Sequence, residues 1–259
     1  MTSGLVRQAF VEHFAAGTPT RRIDRDLPVE VPVALEYDGI TYAVMMATPV
    51  DLDDYARGFA IGEGLLTPET APLSSHFAEV EHGWIVRTTL PGGTAQAMVA
   101  RVRRRIGDSS CGLCGMETLA EVARSLPQVA VPCRPEPAAV FAALRALRTL
   151  QPLGRATGAM HAAAICAPDG RIAIVREDVG RHNALDKAIG ALAAQQEQRP
   201  MFALLSARCS YELVEKAVRG GLGGLVTISA PTSMAIRRAR DAGLALYVLA
   251  RSDSILELA

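Results

Sequence analysis

From residue 28 the chain alternates. Val29, Val31, Val33 and Leu35 are apolar, and Glu30 and Glu36 occupy the opposite parity. Period two predicts a half-buried strand. Asp38-Gly39 is a strong turn signal, and residues 40–46 supply the returning strand. Asp51-Leu-Asp-Asp then opens a helix with acids at its positive end, where Leu52, Tyr55 and Phe59 give an apolar face. Gly62-Glu63-Gly64 stops it. His82-Gly83 predicts a second hairpin leading into Trp84. Residues 94–105 read as a helix with Ala95, Met98, Val99 and Val102 on one face. Residues 107–115 have no period and predict a loop, followed by a short helix striped with Leu119, Val122, Ala123 and Leu126.

Pro127, Pro132, Pro135 and Pro137 mark a linker. Beyond it the pattern predicts a helix over 137–150, then strands 162–167 and 172–175 joined through Pro168-Asp169-Gly170. Helix 183–194, strand 201–205, helix 211–219, strand 225–229, helix 234–242 and strand 244–249 follow. Two successive βαβ units imply a parallel sheet layered with helices, hence the α/β class. The expected organisation has four parts. Residues 1–25 form a flexible tail, and 26–106 a small α+β domain. Residues 107–136 hold the cysteine loop, short helix and proline-rich linker, and 137–259 an α/β domain.

Composition narrows the function. With 27 basic and 27 acidic side chains the net charge is zero, which argues against a protein that coats nucleic acid and requires any anion to be held by a local cluster. Aromatics at 5% leave little for base-stacking platforms. The longest uncharged run, residues 220–236, is broken by Gly221, Gly223, Gly224 and Pro231, so no membrane span is expected. No secretory signal is evident at the start, and an odd count of five cysteines fits a reducing compartment. A cytoplasmic protein is expected.

In a parallel sheet, ligands bind beyond the carboxyl ends of the strands. Here those ends carry Ser206, Arg208 and Ser210, then Ser229, Thr232 and Ser233, then Arg251, Ser252, Asp253 and Ser254. Helix capping explains part of this, and a phosphate or nucleotide site is the sharper reading. Asp178, Arg181, His182, Asn183, Asp186 and Lys187 crowd a strand-to-helix junction. Asp186 and Lys187 fit an exposed helical face. Asp178 suits the N1/N2 edge of guanine or a cap, and Arg181 suits phosphate. His161 follows Thr157-Gly-Ala-Met, where the glycine suggests close backbone approach.

Cys111-Gly-Leu-Cys114-Gly is the sharpest motif. Such a pair can chelate zinc, cycle as a disulfide or carry sulfur. Zinc needs four ligands, and Cys133, Cys166 and Cys209 are singletons without matching spacing, so no metal site is expected. The upstream Arg101, Arg103, Arg104 and Arg105 make the segment electropositive, which favours a thiolate.

Taken with Thr157-Gly-Ala-Met-His, Glu177-Asp-Val-Gly-Arg-His-Asn-Ala-Leu-Asp-Lys, Ser206-Ala-Arg-Cys-Ser-Tyr-Glu and Ile228-Ser-Ala-Pro-Thr-Ser, the motif resembles the FdhD family of formate dehydrogenase accessory sulfurtransferases. The resemblance implies a cytidine-deaminase-like three-layer α/β domain behind a smaller α+β domain, and a homodimer. It implies sulfur taken from a cysteine desulfurase and passed to a bis(molybdopterin guanine dinucleotide) molybdenum cofactor, before that cofactor enters formate dehydrogenase. Cys111 maps to the persulfide carrier, with Cys114 shuttling the sulfur or releasing it by forming a disulfide. The family's cofactor-binding stretch maps to Leu249, Ala250, Arg251, Ser252, Asp253 and Ser254. With His161, Asp178, Arg181, His182, Asn183, Ser206, Arg208 and Ser210, these are the expected cofactor contacts. Here the stretch reads Val-Leu-Ala-Arg-Ser-Asp-Ser where the family commonly has Gly-Phe-Ala-Arg-Gly-Asp-Arg. His161 is followed by alanines, with no glutamate two residues on, so deaminase chemistry is not expected. The runner-up is a guanine-nucleotide-binding chaperone for the cofactor without sulfur transfer. A zinc-bearing scaffold is third.

Overall fold

The computed structural model describes residues 4–13, 20–69, 75–91, 125–195 and 200–259. The predicted helices over 94–105 and after 115, and the cysteine loop with Cys111 and Cys114, lie outside the described residues.

Residues 5–12 and 21–28 differ from expectation. β1 (Leu5–Glu12) and β2 (Arg21–Pro28) form an antiparallel hairpin where a flexible tail was predicted. The signal was hidden because neither strand keeps its apolar residues to one parity: Val6, Phe10 and Val11 of β1 are exposed, and β2 is charged at Arg21, Arg22, Asp24, Arg25 and Asp26. Arg21 pairs with Glu12 at 2.5 Å and Arg7 with Asp26 at 3.3 Å, so cross-strand ion pairs contribute to a ribbon with little core of its own. Its base is anchored: Val29 N donates to Gly4 O at 2.9 Å.

β3 (Val31–Tyr37) and β4 (Ile40–Ala47) are the first predicted hairpin, turning through Asp38 and Gly39, both at positive φ. Helix α1 (Leu52–Gly62) crosses to β5 (Ser75–Val80) and β6 (Gly83–Thr88), and β3 pairs parallel with β6 to give the order β4-β3-β6-β5. Gly64, at φ +68°, lets the chain leave α1.

The second sheet has six strands in the order β12-β11-β10-β9-β7-β8. β7 (His161–Cys166) and β8 (Ile172–Asp178) are the predicted hairpin, with Gly170 at φ +86° in the turn. β9 (Phe202–Leu205), β10 (Gly224–Thr227) and β11 (Ala245–Val248) are parallel, and β12 (Leu256–Glu257) returns antiparallel to β11. The helices are α2 (Pro137–Leu147), α3 (Pro152–Thr157), α4 (Arg181–Ala194), α5 (Tyr211–Arg219) and α6 (Ser233–Ala242). A 3-10 turn over Arg148–Leu150 extends α2. Fold class is mixed α/β, with helices on both faces of the larger sheet. No described helix is long and apolar enough to cross a membrane.

The two predicted domains share one core. Leu35 and Val86 of the small sheet, Phe59 and Ile61 of α1, Leu185 and Ile189 of α4, and Ile165 and Leu205 of the large sheet belong to a single buried cluster. A smaller cluster lies under α2, with Val140, Leu147, Phe202, Val226 and Tyr247. Helices α1 and α4 meet backbone to backbone at Gly58 and Gly190. A Cβ on Gly58 would stand 1.7 Å from the Asp186 carbonyl oxygen, and one on Gly190 would stand 1.9 Å from that of Asp54. Only glycine permits this approach. The proline-rich stretch is docked on α6 and the larger sheet, with Val129 N on Ala242 O and Cys133 N on Gly223 O, both at 2.9 Å.

Candidate functional site

One edge of the larger sheet gathers the predicted residues. β7 is antiparallel to β9, so His161 at the start of β7 lies at the carboxyl end of β9, opposite Asp178 at the end of β8. The same edge receives the ends of β10 and β11 and the amino terminus of α4. His161, residues 178–183, 206–210, 227–233 and 249–254 therefore share one rim, as the switch-point rule requires.

The charged junction divides into two sets. Asp178 is fully buried and its oxygens are taken. Lys187 Nζ donates to it at 2.6 Å, Gly180 N at 2.8 Å, Asn183 Nδ2 at 2.9 Å and Thr48 N at 3.1 Å. Asn183 is equally engaged, accepting from Tyr55 Oη at 2.9 Å and donating to Met46 O. The expected contacts of Asp178 and Asn183 with a ligand are thereby corrected: both join β4 to α4 from inside. Asp186 and Lys187 are not an exposed face either. Both are buried, and Asp186 receives Lys216 Nζ at 2.7 Å. Ser206 Oγ accepts from Ala162 N at 2.8 Å, tying two strand ends together.

The second set is open. Arg181 is half-buried, forms no hydrogen bond or ion pair among the described residues, and has a buried Nε without a partner. Beside it, His182 Nε2 stands 3.5 Å from Ser210 Oγ and 3.5 Å from Glu212 Oε2. Burial pushes the Glu212 carboxyl up, but hydrogen bonds from His182 and Ser210 hold it below its ordinary value. His161 is lowered, chiefly by burial and further by Arg181 and His182, against a hydrogen bond to the Ser206 backbone and the charge of Asp178. Glu212 was missed as a site residue in the sequence, although it directly follows Ser210-Tyr211. Its signal is an acid in the first turn of a helix that begins at a strand's carboxyl end.

The last stretch completes the rim. Leu249 is held at φ +50°, with its N–H on Ser229 O, a left-handed conformation unusual for leucine. Ala250 is buried and donates to Thr227 O. Arg251 N closes a turn on Ser254 O, which leaves the side chains of Arg251, Ser252, Asp253 and Ser254 exposed, as is Arg208. Thr232 caps α6, accepting from Ala235 N at 3.2 Å, as capping predicts.

The three described cysteines are buried, and burial raises Cys133 to about 11 and Cys166 and Cys209 to about 12. None of the three presents a thiolate.

A mixed α/β protein with an arginine- and histidine-bearing rim along the carboxyl edge of its larger sheet is the class this geometry defines. The chain belongs to the FdhD/NarQ family, whose sequence model matches residues 28–256. It is 44% identical over 224 residues to a sulfur carrier protein FdhD of Bordetella petrii, covering 86% of this chain and 81% of that one. A protein of the same description from Variovorax paradoxus is 42% identical over 229 residues, with 88% and 82% covered. A crystal structure of a formate dehydrogenase accessory protein from Desulfotalea psychrophila has the same fold, with TM-score 0.76, 21% identity and 98% and 96% of the two chains covered.

Proposed function

We propose that this chain is a sulfur carrier for formate dehydrogenase maturation. It takes sulfur from a cysteine desulfurase and passes it to a bis(molybdopterin guanine dinucleotide) molybdenum cofactor, bound as substrate at the carboxyl rim. Kinship over most of the chain with relatives described as sulfur carriers supports the carrier role. The observation that carries the substrate site is Arg181: a half-buried guanidinium at a helix start, with no hydrogen bond or ion pair among the described residues, suits a phosphate oxygen. Arg208, Arg251 and Asp253 lie on the same rim and can meet the rest of a dinucleotide.

In the carrier step the Cys111 thiolate attacks the outer sulfur of the donor's persulfide. A new S–S bond forms, the donor's S–S bond breaks, and the donor leaves as a thiolate. The raised Cys133, Cys166 and Cys209 favour assigning this role to the Cys111/Cys114 pair. On the same reading the larger sheet and its helices make a cytidine-deaminase-like domain, and the chain acts as a cytoplasmic homodimer.

Incubation with a cysteine desulfurase and cysteine, followed by peptide mass spectrometry, tests the reading. One added sulfur on the peptide carrying Cys111, absent in Cys111→Ala, is expected, together with loss of formate dehydrogenase maturation in that variant. An unmodified pair, with maturation intact in Cys111→Ala, would sink it.

A further inference from the structure

The charge pairing along the rim is uneven. Asp178 is matched by Lys187 and Asp186 by Lys216. Glu212, whose side chain is 21% exposed, faces a histidine instead, and no arginine or lysine among the described residues is paired with it. A phosphate approaching Arg181, next to His182, therefore meets a carboxylate whose ion-pair partner among the described residues is charged only when it holds a proton.

We infer that His182, Glu212 and Ser210 form a proton-coupled latch, so that binding a phosphate-bearing ligand at the rim takes up one proton. The inference rests on the proposed substrate site and adds its regulation. With the imidazole neutral, Glu212 and an incoming phosphate repel one another. With the imidazole protonated, one N–H is directed to Glu212, at 3.5 Å, and the cation offsets both negative groups. Ser210 sits at 3.5 Å from the same ring nitrogen and also hydrogen-bonds the carboxylate. Glu212 is thus a positioning residue, acting through His182.

The charged groups around this latch come from every neighbouring element. Helix α4 contributes Arg181 and, one turn on, Asp186; β7 contributes His161; β8 contributes Asp178; and α5 contributes Glu212 itself. Asp178 and Asp186 are ion-paired to Lys187 and Lys216, though burial raises the Asp186 carboxyl. His161 is the competing titrating group. Burial lowers it, which favours its neutral form. The latch also gives direction: ligand affinity falls as pH rises, because the proton taken up on binding becomes scarcer.

The test uses the full chain and di(guanosine-5′) pyrophosphate, a probe whose phosphates are diesters and do not titrate near neutrality. Affinity is measured calorimetrically from about pH 6 to about pH 8.5. The wild-type affinity should fall by up to roughly tenfold per pH unit, the limit for one coupled proton. His182→Gln should flatten the profile. Glu212→Gln should move the fall to lower pH while keeping near-wild-type affinity at the acid end. His161→Gln should leave the profile unchanged. A flat wild-type profile, flattening by His161→Gln, or parallel curves for wild type and Glu212→Gln would overturn the inference. Imidazole titration by NMR in the unliganded protein decides independently of the probe, and an unshifted His182 titration in Glu212→Gln would also overturn it. If the probe binds at no pH, the substrate site itself is wrong.

Discussion

Two parts of one helix start behave oppositely. Within residues 178–187, Asp178, Asn183 and Lys187 saturate one another and the backbone of Thr48 and Met46. One turn of the same helix turned outward, Arg181 and His182 have few or conditional partners. Both sets are dense in charge, and in the sequence they look alike. The difference lies in how completely each polar atom is satisfied. The saturated set resists change because desolvated charges are costly to orphan. The unsatisfied set has capacity left for a ligand.

The comparison can be broken by removing its buried half. Asp178→Ala leaves Lys187 charged and fully buried, and loss of one partner of such a pair costs about 3–5 kcal/mol. The thermal midpoint should drop steeply by calorimetry. Any residual guanine and adenine nucleotide binding should fall together, since Asp178 reads no base edge. A selective loss of guanine binding would reverse the assignment.

Arg181→Ala should do the converse. Stability should stay within about 0.5 kcal/mol, while affinity for a guanine nucleotide drops by about 1.5–3 kcal/mol, the worth of a charged hydrogen bond. Isothermal titration and a melting curve on the same sample separate the two effects.

Ser206 sharpens the boundary between the sets. It lies on the rim, but its hydroxyl is committed to Ala162 N. Ser206→Ala should lose about 1 kcal/mol of stability with nucleotide affinity unchanged. A tenfold affinity loss with unchanged stability would return Ser206 to the ligand.

The smallest effect is expected at Glu177. Its carboxylate accepts from Leu153 N at 3.0 Å and Gly154 N at 2.7 Å, joining α3 to β8. Burial raises its carboxyl, against those two hydrogen bonds. The folded chain thus holds this proton more firmly than the unfolded one. Its contribution is full below the ordinary glutamate range and is lost as pH rises through the raised value. In Glu177→Gln that part of the melting-temperature profile, the loss of stability as pH rises above the ordinary glutamate range, should disappear.

The regular elements were legible because each carried its own punctuation. Asp38-Gly39, Gly62-Glu63-Gly64 and Pro168-Asp169-Gly170 bracket strands and helices at the predicted places, with positive φ at Gly39, Gly64 and Gly170. The rim was legible too, because topology alone sends Ser206, Ser229 and Leu249 to one edge. Two things were not. The β1–β2 hairpin lacks an apolar stripe, and its cross-strand ion pairs are something a hydrophobic pattern does not register. The partnering of Asp178, Asn183 and Lys187 depends on Thr48, Tyr55 and Met46, more than a hundred residues away, and local spacing carries no trace of it.

The glycine contact between α1 and α4 has a consequence for how the chain comes into being. The proline-rich stretch looks like a place to cut, yet Gly58 and Gly190 sit on opposite sides of it with their backbones touching. A fragment beginning at residue 137 would present the bare Ala- and Gly-lined flank of α4 to water, and the preceding fragment would expose the matching face of α1. During synthesis the first half must therefore wait, incompletely buried, until α4 leaves the ribosome. The two halves should then be inseparable as expression units and melt in a single cooperative transition.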